Sequence, residues 1–264
     1  MKKKIIIGAS KYGSKVDLYK SLKIINFLYK NGFKYFDTAP LYGCGLSHYI
    51  FNKTKKKILI TTKIGQPLKL SLLEILKRIY RFNGFDNFIF SFKHFCFNER
   101  SKKKFWSKKN LKKIINEYQK ELNNNIINAI YLHKPPYKLI TKKNLLDFIS
   151  LSKEKKFKPG ICNLSVNNLN IINNKNLILQ MDIKFFFENH EKLKKIENPI
   201  EIFGLFSYLK SISLFKKKEF KVKFTDLILK NKKVKIIIPI NNIKRAAKFI
   251  NDTNKKTYFN KILN

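Results

Sequence analysis

Phe36-Asp37-Thr38-Ala39-Pro40-Leu41-Tyr42-Gly43-Cys44-Gly45-Leu46-Ser47 is the stretch that organises the chain. An apolar, aromatic run beginning at Phe33 ends in a carboxylate, and a tyrosine with two nearby glycines follows. Taken alone, it has two readings. It is an ordinary strand–loop–helix junction, with Asp37 and Thr38 satisfying loop backbone groups, or a strand end that presents a carboxylate and a phenol as a site.

Outward from this stretch the pattern repeats. Ile5 to Ala9 is a short apolar run that ends at Ser10, and it reads as a buried strand. Leu18, Leu22, Ile25 and Leu28 follow at helical spacing, with Asn31-Gly32 as the stop. After the opening strand (Lys34 to Asp37), a short helix is expected beyond Ser47. Ile58 to Thr62 then forms a third buried strand ending at Lys63. Residues 65–106 are irregular and read as a long loop insertion, with a helix over Leu70 to Ile79 and alternation at Phe88, Phe90 and Phe92. Ser107 and Thr141 are expected helix N-caps. Further strands end at His133, Asn163, Gln180, Ser207 (a run from Ile202 to Phe206) and Asn241. Helices are expected from Phe224 to Leu229 and from Ile243 to Ile250.

Strands that are apolar without alternation are buried on both faces, and helices between them make the sheet parallel. Eight such strands predict a single-domain α/β chain, a (β/α)8 TIM barrel over residues 1–264. The carboxyl ends of barrel strands carry the chemistry, and here every one is polar or ionisable. Asp37, Tyr42, Lys63 and His133 form a sensible set. A Lys ammonium favours the phenolate of a nearby tyrosine and lowers its pKa. Asp37 could orient that Lys, and His133 could hold a substrate oxygen. A tyrosine tuned in this way acts as general acid toward a carbonyl.

Composition bounds the alternatives. Hydrophobic residues make up 44% of the chain, enough for a full core. The net charge is +40, from 57 Lys and Arg against 17 Asp and Glu. The basic residues are nearly all Lys, scattered, and accompanied by much Asn, Ile and Phe, the residues that AT-rich codons favour. Compositional drift and a polyanion-binding surface both account for this charge. Cys44, Cys96 and Cys162 are widely spaced, without metal-ligand or disulfide pattern, so a reducing cytoplasm is the expected setting. No apolar run reaches the ~20 residues of a membrane span, and the N-terminal run is too short for a signal peptide.

The same residues resemble a known family, the aldo-keto reductases. Phe36-Asp37-Thr38-Ala39 with Tyr42-Gly43-Cys44-Gly45-Leu46-Ser47 is similar to the family's strand-two motif. Thr62-Lys63, Leu132-His133-Lys134-Pro135 and Gly160-Ile161-Cys162-Asn163 resemble its later strand ends, as do Gln180, Phe206-Ser207-Tyr208-Leu209 and Ile237-Ile238-Pro239. The segment after strand three is most like the aldose- and galactose-dehydrogenase branch. The resemblance implies four catalytic residues, Asp37, Tyr42, Lys63 and His133, with Tyr42 as proton donor. It implies a nicotinamide cofactor, NADP(H) ahead of NAD(H), lying across the barrel mouth without a Rossmann fold. Asn163 and Gln180 would hold the carboxamide and Phe206 would stack on the ring. Asp37, Cys162 and Ser207 complete the cofactor rim, and Lys244 and Arg245 are candidates for the phosphate. Cys162 stands where the family has Ser, and His48, expected on the surface of the short helix, where it has Glu. The substrate would be a small aldehyde, ketone or sugar lactol, with no membrane and no specific nucleic acid as partner. Two alternatives stay open: a non-catalytic relative that binds nucleotide or a protein partner, and a polyanion- or RNA-binding protein using lysines and the aromatics of residues 82–106.

Overall fold

A computed structural model describes residues 2–54, 56–65, 103–122, 126–136, 138, 140–163, 169, 172, 174–213, 220–226, 231–255 and 257–263. Within them, Ile5–Gly8 (β1), Tyr35–Asp37 (β2), Leu59–Ile64 (β3), Ile126–His133 (β4), Lys158–Cys162 (β5), Ile178–Asp182 (β6), Ile200–Phe203 (β7) and Val234–Pro239 (β8) close into one barrel in sequence order. Every neighbouring pair is parallel. The expected helix over Leu70 to Ile79, the aromatic alternation at Phe88–Phe92 and most of the insertion at 65–106 lie outside the described residues.

The parallel arrangement follows from the strand sequences. Ile5 to Gly8 is buried at every position, and Ile60 to Ile64 likewise. A strand without a polar face needs cover on both sides, which a barrel interior and an outer ring of helices supply. The ring consists of Leu18–Lys30 (α1), Leu46–Lys53 (α2), Lys108–Glu121 (α3), Lys142–Glu154 (α4), Ile183–Glu188 (α5), His190–Lys194 (α6), Leu205–Ser211 (α7), Ile243–Asn254 (α8) and Tyr258–Leu263 (α9). On α3 the inward stripe is the one the spacing predicts, Leu111, Ile114, Ile115 and Tyr118; on α1 Ile25 and Leu28 are buried as expected, with Ile24 beside them, while Leu18 and Leu22 are only partly buried. Each fully buried side chain of this size is worth ~1.5–3 kcal/mol.

Side-chain caps fix where the helices begin. Ser107 accepts from the Asn110 amide and Thr141 from the Asn144 amide, as expected. Asp17 and Asn242 cap α1 and α8 in the same way. At the far end of α1, Asn31 closes the helix and Gly32 turns the chain at φ 86°.

The seventh strand differs most from the sequence reading. It was expected from Ile202 to Phe206, but β7 ends at Phe203. Gly204 sits at φ 87°, a left-handed turn that strand geometry does not allow, and the chain enters α7 at once. Phe206 and Ser207 are therefore on a helix above the strand end. The helix expected from Phe224 to Leu229 is seen in part, over residues 220–226, and its remainder lies outside the described residues.

Candidate active site

Asp37 is the last residue of β2. Its carbonyl accepts from the Ala9 amide (2.8 Å), and the Thr38 amide donates to Thr61 (2.8 Å), so the chain leaves the barrel held on both sides. The Thr38 and Ser47 hydroxyls meet at 2.6 Å and tie the two ends of the following loop together. Between them Tyr42–Gly45 makes a 3₁₀ turn. Gly43 has φ 59°, and a Cβ there would lie 2.6 Å from the Tyr12 carbonyl oxygen. Only glycine fits, and this close approach sets the direction in which Tyr42 projects.

Lys63 reaches the same point from β3. Its ammonium donates to Asp37 Oδ1 (2.6 Å), Asp37 Oδ2 (2.7 Å) and the Thr38 carbonyl (3.0 Å). Three acceptors account for its three protons. The ammonium also lies 5.1 Å from the centroid of the Tyr42 ring and acts on the phenol chiefly through its charge. Burial by itself would lower the Lys63 pKa, but Asp37, with Tyr42 and Cys162 adding to it, raises it above the ordinary lysine value. Lys63 is thus a fixed cation.

The tuning of Tyr42 differs from the sequence reading. Lys63 does pull its pKa down, but burial is the larger effect, and Asp37 and Cys162 add to it. The phenol is pushed up to about 12 and keeps its proton at neutral pH. In this state Tyr42 suits the role of acid better than that of base.

His133 ends β4, is buried, and is the register partner of Cys162 on β5. From there the register runs on: Cys162 beside Gln180, Gln180 beside Glu201, and Glu201 beside Lys235. Because barrel strands tilt, this line spirals along the interior. Hydrogen bonds link part of it. Cys162 Sγ donates to Gln180 Oε1 (3.0 Å), and Gln180 Nε2 donates to Asp37 Oδ1 (2.9 Å) and Glu201 Oε2 (3.3 Å). Burial pushes the Cys162 thiol up to about 12, with Lys63 pulling against it. Burial, with the charge of Asp37, also holds the Glu201 carboxyl above its usual range.

Gln180 thus has a place the sequence did not suggest. β6 continues beyond it to Asp182, so Gln180 sits within the barrel rather than at its lip. Its amide holds Asp37. Glu201 was missed altogether, because the seventh strand was read as starting at Ile202. A lone carboxylate in the run Ile200-Glu201-Ile202-Phe203 was the available signal.

Toward the mouth lie the other assigned residues. Asn163 follows β5 at φ 60°, with its amide donating to the Gln180 carbonyl (2.9 Å). Phe206 is half-buried on α7 with exposed Ser207 beside it. The Arg245 guanidinium lies 4.8 Å over the Phe206 ring. Arg245 and exposed Lys244 occupy the first turn of α8, where helix-end amides favour anions. The guanidinium thus covers one face of the Phe206 ring, the group expected to stack on the nicotinamide.

His48 is a correction. It was expected on the surface of α2, yet it is fully buried. Its Nε2 lies 2.8 Å from Thr62 Oγ1 and its Nδ1 3.1 Å from Glu121 Oε2. It also packs edge-on against Tyr118, whose hydroxyl donates to the Lys63 carbonyl (3.4 Å). The face of α2 that carries His48 is pressed between β3 and α3, and the imidazole satisfies two groups there. Among the described residues there is no metal-binding cluster and no helix long and apolar enough to cross a membrane.

Solved structures with this architecture are numerous and distant in sequence. The aldo-keto reductase AKR11C1 from Bacillus halodurans, in its holo form, is 16% identical with a TM-score of 0.61, over 98% of this chain and 91% of that one. The glycerol dehydrogenase AKR11B4 from Gluconobacter oxydans is 13% identical with a TM-score of 0.62, over the same shares of 98% and 91%. An aldo/keto reductase from Klebsiella pneumoniae, in complex with NADP and acetate, is 9% identical with a TM-score of 0.60, over 94% and 84%. At these identities the likeness is one of fold. No curated protein sequence matches the chain significantly. The sequence profile of the aldo/keto reductase family matches residues 4–181, from β1 into β6. Since that span includes Asp37, Tyr42, Lys63 and His133, the chain belongs to the aldo/keto reductase family, whose members are nicotinamide-dependent carbonyl oxidoreductases.

Proposed function

We propose that the chain interconverts a small carbonyl and its alcohol, the carbonyl being an aldehyde, a ketone or an aldose in equilibrium with its lactol. NADP(H) is the cofactor ahead of NAD(H), and the aldose-dehydrogenase-like branch is the nearest in kind. One observation carries this reading: the buried cluster in which Lys63 is locked on Asp37 beneath a Tyr42 that keeps its proton.

The geometry supports the following roles. Tyr42 donates a proton to the carbonyl oxygen as negative charge develops there. Lys63, held in place, stabilises the phenolate left behind, because its charge favours the ionised form. Asp37 fixes Lys63 and is itself fixed by Gln180. His133, at the end of β4, is the proposed hydrogen-bond donor to the substrate oxygen. Asn163, Phe206, Ser207, Lys244 and Arg245 are the groups assigned to hold the cofactor, and Arg245 and Lys244 suit a phosphate. The bound nicotinamide supplies the hydride.

The test joins cofactor titration to turnover. NADPH and NADH fluorescence titrations come first, then a panel of aldehydes, ketones and aldoses. Tyr42→Phe should lower kcat by about 10²- to 10⁴-fold, the usual worth of a positioned acid, while NADPH affinity stays unchanged. Near-native turnover by that variant refutes the assignment. NADPH binding by the native chain without turnover of any carbonyl favours the non-catalytic alternative.

A further inference from the structure

The amino ends of the strands, opposite the catalytic mouth, enclose a cavity of about 470 Å³. It lies between α4 and the starts of β5, β6, β7 and β8. Five lysines line it: Lys153 from α4, Lys158 from β5, Lys175 from the turn before β6, and Lys233 and Lys235 at the start of β8. Lysines are common in this chain, so their number alone says little. Their convergence from separate elements on one hollow says more.

Two further facts bear on it. None of the five ammonium groups makes an ion pair among the described residues, whereas Lys112 and Lys155, on and just after neighbouring helices, both pair with Glu154. Glu201, the one acid among the lining residues, is buried and hydrogen-bonded to Gln180 inside the barrel. Lys235 lies over the Tyr35 ring and in the field of Glu201, so the excess positive charge of the hollow rests on the other four lysines, and an added anion would find it there. Phe157, Pro159 and Ile178 give the walls an apolar surface, which free phosphate would not use. The volume is within the ~300–1,000 Å³ of small-molecule sites, and a Lys ammonium is a common point-charge partner for phosphate.

We propose that this hollow is a second ligand site, distinct from the catalytic mouth, which takes a small organic phosphate: an apolar or planar body against Phe157 and Pro159, with its phosphate among the lysines. A nucleoside diphosphate has this size and chemistry. The hollow itself is independent of the reductase reading, on which only the NADPH and turnover arms of the test rest.

ADP is the probe, measured by calorimetry on the full chain at physiological salt with NADPH at saturation, so that the mouth is filled. ADP should bind, and adenosine and inorganic phosphate should each bind about tenfold or more weakly than ADP, since each lacks half of the interaction. Lys175→Glu/Lys233→Glu, at two exposed positions, should weaken ADP by about tenfold or more and leave NADPH affinity and turnover unchanged. The conservative Lys175→Arg/Lys233→Arg should retain ADP binding. The proposal is overturned if ADP fails to bind, if NADPH displaces it, if inorganic phosphate matches it, or if the Glu variant binds it normally. It is also overturned if a single-stranded RNA competes for these lysines more tightly than ADP, which marks a polyanion surface instead.

Discussion

Lys63 and Asp37 are the strongest test of the site, because their partnership can be measured without knowing the substrate. The side chains are 1% and 6% exposed, and the charges meet at 2.6 Å. At an effective dielectric of about 20, the attraction at that distance is roughly 6 kcal/mol. Desolvation offsets much of it, yet removing one partner strands the other charge and costs about 3–5 kcal/mol. Lys63→Met leaves Asp37 facing an apolar side chain. Asp37→Asn leaves Lys63 with the Thr38 carbonyl and one amide oxygen. The double variant strands neither charge. A double-mutant cycle by urea unfolding at pH 7 should therefore show both single variants destabilised by about 3–5 kcal/mol, with the double well short of their sum. The interaction free energy should be at least about 2 kcal/mol. With a urea slope of about 3 kcal/mol/M, each single variant shifts the midpoint by about 1 M or more. If the two losses add to within ~0.5 kcal/mol, the residues do not act as a pair, and the account of how Lys63 is held fails with it.

Two further outcomes follow from other groups. With burial pushing Tyr42 to about 12, its protonated form persists to high pH and is lost only as pH rises through that value. Reduction should then hold level up to about pH 10, while oxidation, which needs the phenolate, rises about tenfold per pH unit where no other step limits it; an alkaline fall in the reduction rate between about pH 7 and pH 9 contradicts the tuning. His48→Ala leaves Thr62 and Glu121 without the imidazole and should cost about 2–3 kcal/mol, lowering Tm by about 5–10 °C, whereas a surface histidine in α2 would leave Tm unchanged within error.

The barrel was legible because its evidence is repeated. The apolar runs at Ile5–Ile7, Ile58–Ile60 and Ile236–Ile238 each allow only a doubly covered strand, and the caps at Ser107 and Thr141 mark helices between strands. The meeting of Asp37, Lys63 and Tyr42 was legible because strand ends converge in a barrel. What failed was depth along a strand. Gln180 read as a terminus because apolar Leu177 to Leu179 stopped there, but main-chain pairing carries β6 on to Asp182 whatever the side chains are. Ile202 to Phe206 read as a strand because nothing in an apolar run says that Gly204 will take a left-handed turn. His48 was misjudged because a polar residue on a short helix is exposed by default, and its buried partners lie far off in sequence, at Thr62 and Glu121. The Tyr42 tuning reversed because burial, which sequence does not display, outweighs the one neighbouring cation.

The line of register partners from His133 to Lys235 has a consequence for folding. Side chains alternate faces, so a slip of one residue in any strand turns its inward set outward. Five consecutive strands each put one polar or ionisable group on that line: His133, Cys162, Gln180, Glu201 and Lys235. Runs as uniform as Ile236-Ile237-Ile238 offer little discrimination of their own, because a slip of one against Ile5-Ile6-Ile7 still sets two of the three isoleucines against isoleucine. A shifted β7 would press Glu201 into the apolar seam behind the helices and leave Gln180 facing Ile200 or Ile202. The polar residues of this interior line therefore index the strands, and replacing them with aliphatic side chains would erase the marks by which a nearly featureless sheet finds its one alignment.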